Sequence, residues 1–429
     1  MRIAHLTPGT GGFYCGTCLR DNALVKELRA LGHDALMVPM YLPPTLDEEA
    51  APGAPLFYGG VNVYLQQKLA PFRRTPRWVD SLFDSPKALK LAASRAGSTQ
   101  AADLGELTLS TLRGELGRQV KELDRLVAWL SSEARPDVVC LSNALLIGLA
   151  RRIRERTGAA VVCTLQGEDT FFDDLPEADS RAAWDLLSER AAEVDGLIAV
   201  SQFYADLMTG RARLPRERVH VVHNGILLDG YGPAGDPPAP PVLGFLGRMC
   251  PAKGLHALVD AFALLRKRGR VGDLKLKIAG TQTAADRKYV AGLLERLPGL
   301  EADVEVLPNL DRDAKLAFLR GLTVLSVPAT YAESFGLYLI EAMAAGVPVV
   351  QPRQGAIPEI LEATGGGVLC EPNNVESLAL ALEGLLLDPV AARAMGERGR
   401  TSVQDHFTAR RMAEQTLQVF DLAVARRRQ

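Results

Sequence analysis

The chain has 429 residues, of which 47% are hydrophobic and 23% are charged, and its formal net charge is −2. This length exceeds one ordinary hydrophobic core, so the sequence predicts two globular domains. The near-neutral charge argues against a nucleic-acid partner, and no apolar run approaches the about 20 residues that a membrane span requires.

The amino-terminal half alternates predicted strands and helices. Arg2–Leu6 is a predicted strand, Cys18–Leu31 a helix and Asp34–Val38 the next strand. This β-α-β order predicts a doubly wound parallel sheet. A strand that glycines interrupt at once is not typical of a signal peptide. Six scattered cysteines, mostly in apolar segments, are typical of reduced thiols, so we expect a cytoplasmic protein.

The first turn, Thr7–Thr17, is rich in glycine and includes Gly11 and Gly12. Glycines let backbone N–H groups approach an anion at the carboxyl edge of a parallel sheet. The spacing differs from G-x-G-x-x-G, so a plain tight turn and a ligand loop remain open. Cys15 and Cys18 form a C-x-x-C pair here. Loop packing is the favoured interpretation of that pair, with redox sensitivity or half a zinc site as alternatives.

The pattern is less regular from Met40 to Glu133. Within it, Phe72–Trp78 mixes basic and aromatic residues. The favoured interpretation is a solvated face whose long side chains cover apolar surface. The alternative is a patch that binds an acceptor or a membrane surface.

Gln166 ends a predicted buried strand, 161–166, and is followed closely by Glu168 and Asp169. Ligands bind at the carboxyl ends of strands in open parallel sheets. A glutamine can hydrogen-bond a substrate or hold the backbone, but it cannot transfer a proton. Only Glu168 or Asp169 can therefore titrate at this position.

The densest Pro/Gly tract, Gly230–Pro241, indicates an interdomain linker. We therefore predict an N-terminal domain at residues 1–230, a linker at 231–241 and a second domain at 242–405. The remaining residues, 406–429, are predicted to contain a terminal helix.

The second domain begins with a predicted strand, 242–246, and a turn that starts Gly247-Arg248 and ends Lys253-Gly254. The guanidinium of Arg248 and the ammonium of Lys253 suit a diphosphate, one as a planar fork and the other as a point charge. Either cation alone is also common on an ordinary surface.

Two later strands end at Gly280 and at Asn309-Leu310. Asp311 and Asp313 follow as a D-x-D sequence, a pattern that binds metal ions in some enzymes. Their position before a predicted helix favours N-capping over metal binding.

Two acids bracket the most informative stretch, Pro328–Pro348. Glu333 lies in a loop after a predicted strand and Glu341 lies in the following predicted helix, 335–345. Their separation of eight residues is about two helical turns, so both carboxylates can face the strand–helix junction. A capping acid plus an exposed helical acid is the alternative.

The residues between these acids stand at the predicted helix N-terminus, where amides and the helix dipole favour a phosphate. They are Ser334, Phe335 and Gly336. Because carboxylates repel a phosphate, the natural partners of Glu333 and Glu341 are hydroxyl groups, such as those of a ribose and a sugar.

This pattern resembles the Glu-x7-Glu signature of the retaining nucleotide-sugar glycosyltransferases of family 4, which have the GT-B fold. The Gly-Arg…Lys-Gly turn is similar to a second motif of that family. The resemblance covers most of the chain and is strongest from Asn224 to Pro372. It implies an α/β protein with two Rossmann-like, doubly wound parallel-sheet domains that face a central cleft, and a terminal helix that crosses back to the first domain.

The implied activity is retaining transfer of a hexose-type sugar from a nucleoside diphosphate, most simply UDP or GDP. By resemblance, Arg248 and Lys253 bind the diphosphate, Glu341 the ribose and Glu333 the sugar hydroxyls. The remaining implied donor contacts are the glycines Gly247 and Gly280, the residues Asn309 and Leu310 near the base, Ser334, and the amides of Phe335, Gly336 and Leu337. The Gly11-Gly12 turn is implied to face the diphosphate across the cleft, so that catalysis needs domain closure.

Gln166 departs from the family pattern, because many members carry a histidine where it aligns. In retaining transfer of this type the leaving phosphate takes the acceptor proton, so no protein base is obligatory.

No metal or other cofactor is expected to be essential. The implied acceptor is a sugar, a lipid-linked molecule or another small molecule, with peripheral contact at the inner membrane face as a further expectation. A non-catalytic nucleotide-sugar-binding protein, or an epimerase or hydrolase of the same fold, is the alternative. The sequence does not indicate the oligomeric state.

Overall fold

The computed structural model describes residues 1–9, 15–75, 101–232, 235 and 238–428. The chain forms two compact units. The described residues of Met1–His223 and Ala409–Gln429 make the first, and those of Asn224–Thr408 make the second. None of the described helices is long and apolar enough to cross a membrane.

The first unit contains a six-stranded parallel sheet in the order β2-β1-β3-β4-β5-β6. Its strands are β1 Arg2–Thr7, β2 Asp34–Pro39, β3 Val138–Leu141, β4 Ala160–Leu165, β5 Gly196–Ala199 and β6 Val219–Val221. Strands β3, β4 and β5 are buried along their whole length. Burial on both faces explains why the sequence shows continuous apolar runs there instead of alternation.

Eight described helices precede the second unit. They are α1 Gly16–Ala30, α2 Gly60–Lys68, α3 Ala101–Leu112, α4 Val120–Trp129, α5 Ala150–Thr157, α6 Glu168–Asp173, α7 Glu177–Arg190 and α8 Gln202–Ala212. A π turn, Leu130–Ala134, extends the end of α4.

The second unit repeats this architecture, with its six parallel strands in the order β12-β11-β10-β7-β8-β9. The strands are β7 Val242–Leu246, β8 Lys275–Gly280, β9 Val304–Pro308, β10 Val324–Leu325, β11 Val349–Pro352 and β12 Gly367–Cys370. The helices are α9 Leu255–Arg268, α10 Asp286–Leu294, α11 Arg312–Arg320, α12 Leu337–Ala344, α13 Ile357–Thr364, α14 Val375–Leu387 and α15 Pro389–His406. Short 3-10 turns complete both units at Ala70–Arg74, Gly114–Leu116, Ala144–Leu149, Ala191–Glu193, Arg216–Arg218, Pro251–Lys253 and Glu301–Asp303.

The terminal helix, α16 Ala409–Arg428, packs on α1, β4 and β5 of the first unit. Gly196 of β5 leaves room for it, because a Cβ there would lie 3.4 Å from Val419 Cγ1. The guanidinium of Arg426 donates to the carbonyls of Asp195 at 2.9 Å and Glu217 at 3.2 Å. These contacts explain why the helix belongs to the first unit although it ends the chain.

The second unit begins before the predicted linker. Ile226 N donates to Phe407 O at 3.0 Å, and the guanidinium of Arg312 donates to the carbonyls of Leu227 at 3.3 Å and Asp229 at 2.7 Å. Residues 224–229 are therefore held by the second unit, and the predicted first domain, 1–230, is corrected to end at His223.

Candidate functional site

An ion pair between Lys253 and Glu333 forms the centre of the candidate site. Lys253 ends the 3-10 turn that follows β7, and Glu333 lies in the loop between β10 and α12. The ammonium donates hydrogen bonds to a Glu333 carboxylate oxygen and to the Tyr331 hydroxyl, the latter at 2.6 Å. Both side chains are mostly buried, with exposed fractions of 21% for Lys253 and 8% for Glu333.

A close approach of two loops brings Lys253 to this position. Gly254 adopts φ +71°, and a Cβ there would lie 1.7 Å from the carbonyl oxygen of Pro328. Thr330 N also donates to Ala252 O at 2.9 Å. Only glycine fits where the turn after β7 contacts the loop after β10, because it has no side chain and tolerates positive φ.

The charges around Lys253 favour its protonated form. Burial disfavours the ammonium, but the carboxylate of Glu333 outweighs burial and raises the pKa of Lys253 above its usual value. Burial and the same carboxylate raise the pKa of Tyr331 to about 12, although Lys253 opposes that shift. The Tyr338 ring lies 5.8 Å from the ammonium, and its buried hydroxyl has no hydrogen-bond partner among the described residues. The site therefore holds a cation that a buried carboxylate and two aromatic rings stabilise.

The backbone of Glu333 is held by a turn between β11 and α13. Gly355 adopts φ +62°, and a Cβ there would lie 2.4 Å from Glu333 O and 2.5 Å from Glu333 N. Ala356 N donates to Glu333 O at 2.8 Å. The sequence alone did not assign Gly355 to the site, because a single glycine indicates a turn but not the residue that the turn contacts.

Glu341 also has a lysine partner. Glu341 lies on α12 and Lys315 on α11, and the Nζ–Oε1 distance is 2.8 Å. Both side chains are largely buried, with exposed fractions of 11% for Lys315 and 15% for Glu341. Sequence reasoning missed Lys315, since a lone lysine in an amphipathic helix has no distinguishing signal.

Arg248 differs from Lys253 because its side chain is half exposed and its contact is loose. Its guanidinium lies 3.5 Å from Asp286 Oδ1. The backbone N–H and hydroxyl of Thr283 also donate to the Asp286 carboxylate, at 2.9 and 2.6 Å. Burial opposes ionisation of Asp286, but these hydrogen bonds and Arg248 outweigh it and lower the pKa of Asp286. Since Thr283 satisfies Asp286 independently, Arg248 can turn to an anion at little cost.

The other predicted residues of the second unit lie around the ends of β7, β8 and β9 and the start of α12. Gly247 N donates to Ala279 O at 3.1 Å, and Asn309 N donates to Gly280 O at 2.8 Å. Asn309 Oδ1 accepts a hydrogen bond from Gln282 N at 3.2 Å, so this side chain holds the turn after β8; Leu310, which follows it, is half-buried. Asp311 accepts from Ala314 N at 2.9 Å and caps α11, which confirms the N-capping prediction.

The start of α12 presents backbone and not side chains. Gly336, at φ +89°, precedes the first helical residue, Leu337, and no side chain caps the helix. Phe335 is buried against Phe407, with ring centroids 6.2 Å apart, whereas Ser334 and Leu337 are half-buried. The N–H groups of a first helical turn carry partial positive charge, so this terminus favours an anion.

In the first unit, Gln166 has a structural contact. Its side-chain amide donates to Ser142 O at 2.6 Å, which joins the carboxyl ends of β3 and β4. Glu168 accepts from Ala144 N at 2.7 Å, and the Tyr204 hydroxyl lies 3.0 Å from both Glu168 Oε2 and Asp169 Oδ1. Burial raises the pKa of Glu168 and of Asp169. Gly11 and Gly12 lie outside the described residues.

The cysteine pair lies at the start of α1. Cys15 is the N-cap residue, and a hydrogen bond from the buried Cys18 thiol lowers the pKa of Cys15 to about 6. Both are free cysteines. Among the described residues, no group of three or more His, Cys, Asp and Glu side chains is arranged to hold a metal ion.

The basic and aromatic segment 72–78 is described only in part, since residues 76–78 lie outside the described residues. Within it, Arg73 Nε donates to Gln66 O at 2.9 Å.

Known proteins resemble the chain over both units. The family model "Glycosyl transferase 4-like domain" matches residues 20–225, and "Glycosyl transferases group 1" matches residues 234–402. The MMP alpha-(1->4)-mannosyltransferase of Mycolicibacterium hassiacum is 31% identical over 238 residues, which cover 55% of this chain and 56% of that protein. The D-inositol 3-phosphate glycosyltransferase of Saccharomonospora viridis is 26% identical over 400 residues, which cover 86% of this chain and 90% of that protein.

Solved structures show the same fold. Sucrose-phosphate synthase from Thermosynechococcus elongatus superposes with a TM-score of 0.73 at 20% identity, covering 99% of each chain. Anabaena HepE in complex with UDP and glucose has a TM-score of 0.69 at 18% identity, covering 98% of this chain and 99% of that one. Since the two family models together match most of the sequence, the chain belongs to the group 1 glycosyl transferases, the family 4 glycosyltransferases of the GT-B fold.

Proposed function

We propose that the protein transfers a hexose from a nucleoside diphosphate sugar with retention of the anomeric configuration, and that the second unit binds the donor. The observation that carries the proposal is the pair of acids Glu333 and Glu341 on either side of the α12 N-terminus, each held by a lysine. Together these groups supply an anion-binding site. On each side of it lies a carboxylate that can accept hydrogen bonds from hydroxyl groups.

The assignment of roles follows from the charges. Lys253 and Arg248 bind the diphosphate, and the amides of Phe335, Gly336 and Leu337 complete the phosphate site. Glu341 accepts hydrogen bonds from the ribose and Glu333 from the transferred sugar. Because Lys253 already contacts Glu333, one ammonium can join the leaving phosphate to the residue that holds the sugar.

In the proposed reaction the bond between the anomeric carbon and the diphosphate oxygen breaks, and negative charge develops on the departing phosphate. Lys253 and Arg248 stabilise that charge. The acceptor hydroxyl attacks from the same face and its proton passes to the leaving phosphate oxygen. No side chain is needed as a base, so glutamine at position 166 is compatible with transfer, and its bond to Ser142 O gives it a positioning role.

The donor is proposed to be linked to UDP, with GDP as the second candidate. The complex of Anabaena HepE with UDP and glucose supports this order, since that protein has the same fold. The acceptor is proposed to be a sugar, a lipid-linked molecule or another small molecule that binds the first unit.

Calorimetric titration with UDP, GDP and ADP tests the donor site. We expect one nucleotide to bind selectively, and Arg248→Ala to weaken it about tenfold because a charged hydrogen bond to phosphate is lost. Arg287→Ala is the matched control, since Arg287 is an exposed arginine of the same unit, and it should bind as the wild type does. Failure of all three nucleotides to bind would contradict the proposal.

The reaction itself is tested with the sugar form of the selected nucleotide. We expect NMR spectra of the product to show the same anomeric configuration as the donor. Conversion of the donor without transfer to any acceptor would instead indicate an epimerase or hydrolase, and binding without conversion a non-catalytic protein.

A further inference from the structure

A cavity of about 440 Å³ lies at the amino-terminal edge of the first sheet. It is lined by the residues at or just before the starts of β1, β3 and β4, including Arg2, Asp137 and Ala160, and by the end of α16. Gln166 and the acids beside it follow the opposite, carboxyl ends of the same parallel strands. The cavity is therefore separate from the carboxyl edge at which ligands of such sheets are expected.

Arginine dominates the lining of this cavity. The five arginines that line it are Arg2, Arg135, Arg156, Arg427 and Arg428. Among the described residues, none of their guanidinium groups forms an ion pair. Two of them donate to backbone carbonyls, Arg135 to Ser132 O at 3.1 Å and Arg427 to Arg154 O at 3.0 Å.

The negative groups at the cavity do not balance these cations. Asp137 is the acid that lines it, and its Oδ2 accepts a hydrogen bond from Arg2 N at 2.7 Å. Helix α5, helix α16 and the π turn after α4 also end there, and each helix C-terminus contributes roughly half a negative charge. Five positive charges against one full and three half charges leave an excess of roughly two and a half. The whole chain has a net charge of −2, so this excess is local.

We propose that this cavity binds a small anion that carries two or more phosphate groups. Guanidinium groups bind phosphate oxygens in pairs through parallel N–H donors, and several forks around one cavity suit more than one phosphate. The volume lies within the range of small-molecule sites. A bound anion would join the end of α16 to the starts of the strands, so it would stabilise the terminal helix on the first unit.

A free polyphosphorylated molecule and the headgroup of a phospholipid have the same chemistry. The limited volume of the cavity, about 440 Å³ between strand starts and a helix end, favours the free molecule. Inorganic tripolyphosphate is therefore the probe, and vesicles of phosphatidylcholine with one-fifth cardiolipin form the second arm of the test.

The test compares two variants of the full-length protein with equal loss of charge. The pocket variant is Arg2→Gln/Arg156→Gln/Arg428→Gln, whose three native side chains make no hydrogen bond or ion pair with the described residues. The control variant is Arg181→Gln/Arg213→Gln/Arg216→Gln, which removes three exposed arginines of the same unit away from the cavity. The donor site is intact in both variants, so a difference between them reports on the cavity alone.

Titration calorimetry at about 0.15 M salt gives the readout, because weak surface attraction is screened there. We expect tripolyphosphate to bind the wild type and the control variant within twofold of each other, and the pocket variant at least about tenfold more weakly. We expect the vesicles not to bind. Equal weakening in both variants, no weakening in either, or binding to the vesicles without binding to tripolyphosphate would overturn the proposal.

Discussion

Glu341 Oε1 lies 2.8 Å from Lys315 Nζ, although the two residues are 26 positions apart and on different helices. Lys315 of α11 thus fixes the carboxylate that is proposed to bind the ribose. A buried carboxylate without a partner is costly, so the ion pair holds Glu341 oriented before any donor arrives.

Lys315→Met should therefore lower the stability of the protein and weaken its binding of the nucleotide-sugar donor. We expect a loss of about 1–3 kcal/mol in the free energy of unfolding, because Glu341 keeps its burial and loses its partner. The KM for the nucleotide sugar should rise about tenfold with a smaller change in kcat, since the ribose contact is a binding contact.

The double variant Lys315→Met/Glu341→Gln separates these two effects. It removes the unpaired charge, so the melting temperature should recover while the KM stays high. Recovery of both would show that Glu341 has no role in donor binding.

Glu333→Gln should act on the chemical step. The amide keeps the size of the side chain and a hydrogen bond with Lys253, but it loses the charge that orients both the sugar and the ammonium. We expect kcat to fall about hundredfold, which corresponds to about 2.7 kcal/mol. Calorimetric affinity for the nucleotide alone should change little, because the diphosphate contacts remain.

Glu362→Gln is the control for this substitution, since Glu362 is an exposed acid of the same unit. Its kcat should equal that of the wild type. An unchanged kcat in Glu333→Gln would remove Glu333 from the reaction.

The strands of both units could be predicted from the sequence because buried parallel strands show as apolar runs. Glu333 and Glu341 could be selected as candidate site residues because they belong to one short motif. Lys253 is 80 positions from Glu333, and their contact depends on the close approach at Gly254, which local pattern cannot reveal. Lys315 was missed because its contact with Glu341 also joins residues far apart in the sequence, and a lone lysine in an amphipathic helix has no distinguishing signal.

Boundaries were predicted less well where tertiary contacts decide them. The predicted strand before Glu333 is as short as Val324–Leu325, since its pairing with β7 and β11 covers only these residues. Composition indicated a linker at 231–241, but the second unit begins at Asn224, and composition could not show that Ile226 N donates to Phe407 O.

Gly355→Ala should disturb the site through the backbone of Glu333. A Cβ at this position would lie 2.4 Å from Glu333 O, and φ +62° is strained for alanine. The positive φ alone costs about 1 kcal/mol, and the overlap should add to this loss of stability. We expect kcat/KM to fall at least about tenfold, because Glu333 must move.

Gly365→Ala isolates the effect of the backbone angle. Gly365 has a similar φ of +59°, and the nearest atom to its Cβ would be Arg398 Nε at 3.7 Å. This variant should lose about 1 kcal/mol of stability and keep its kcat/KM. Equal losses of kcat/KM in both variants would mean that the strained backbone angle, and not the contact with Glu333, causes the loss of activity in Gly355→Ala.

A buried ion pair should make the stability of the first unit depend on pH. His5 Nε2 lies 3.0 Å from Asp21 Oδ1, and both side chains are fully buried. Burial disfavours a charged ring, but the Asp21 carboxylate outweighs burial and raises the pKa of His5 from 6.5 to about 10. Burial also opposes the carboxylate, but His5 and Arg20 lower the pKa of Asp21 from 3.8 to about 2.

The direction of each effect follows from which state binds more protons. Between pH 6.5 and about 10 the native state retains the proton of His5 that the unfolded chain releases, so the free energy of unfolding falls as pH rises. On the acid side, the contribution of Asp21 is complete above pH 3.8 and is lost as pH falls towards about 2.

Urea unfolding at pH 7 and pH 10 measures the alkaline effect. Trp129 and Trp184 belong to the described residues of the first unit, so their fluorescence reports on that unit. The midpoint of the wild type should fall further between these two pH values than the midpoint of His5→Gln, which has no ring to titrate. Parallel decreases in the two proteins would mean that His5 is not charged in the folded state and that Arg20 alone neutralises Asp21.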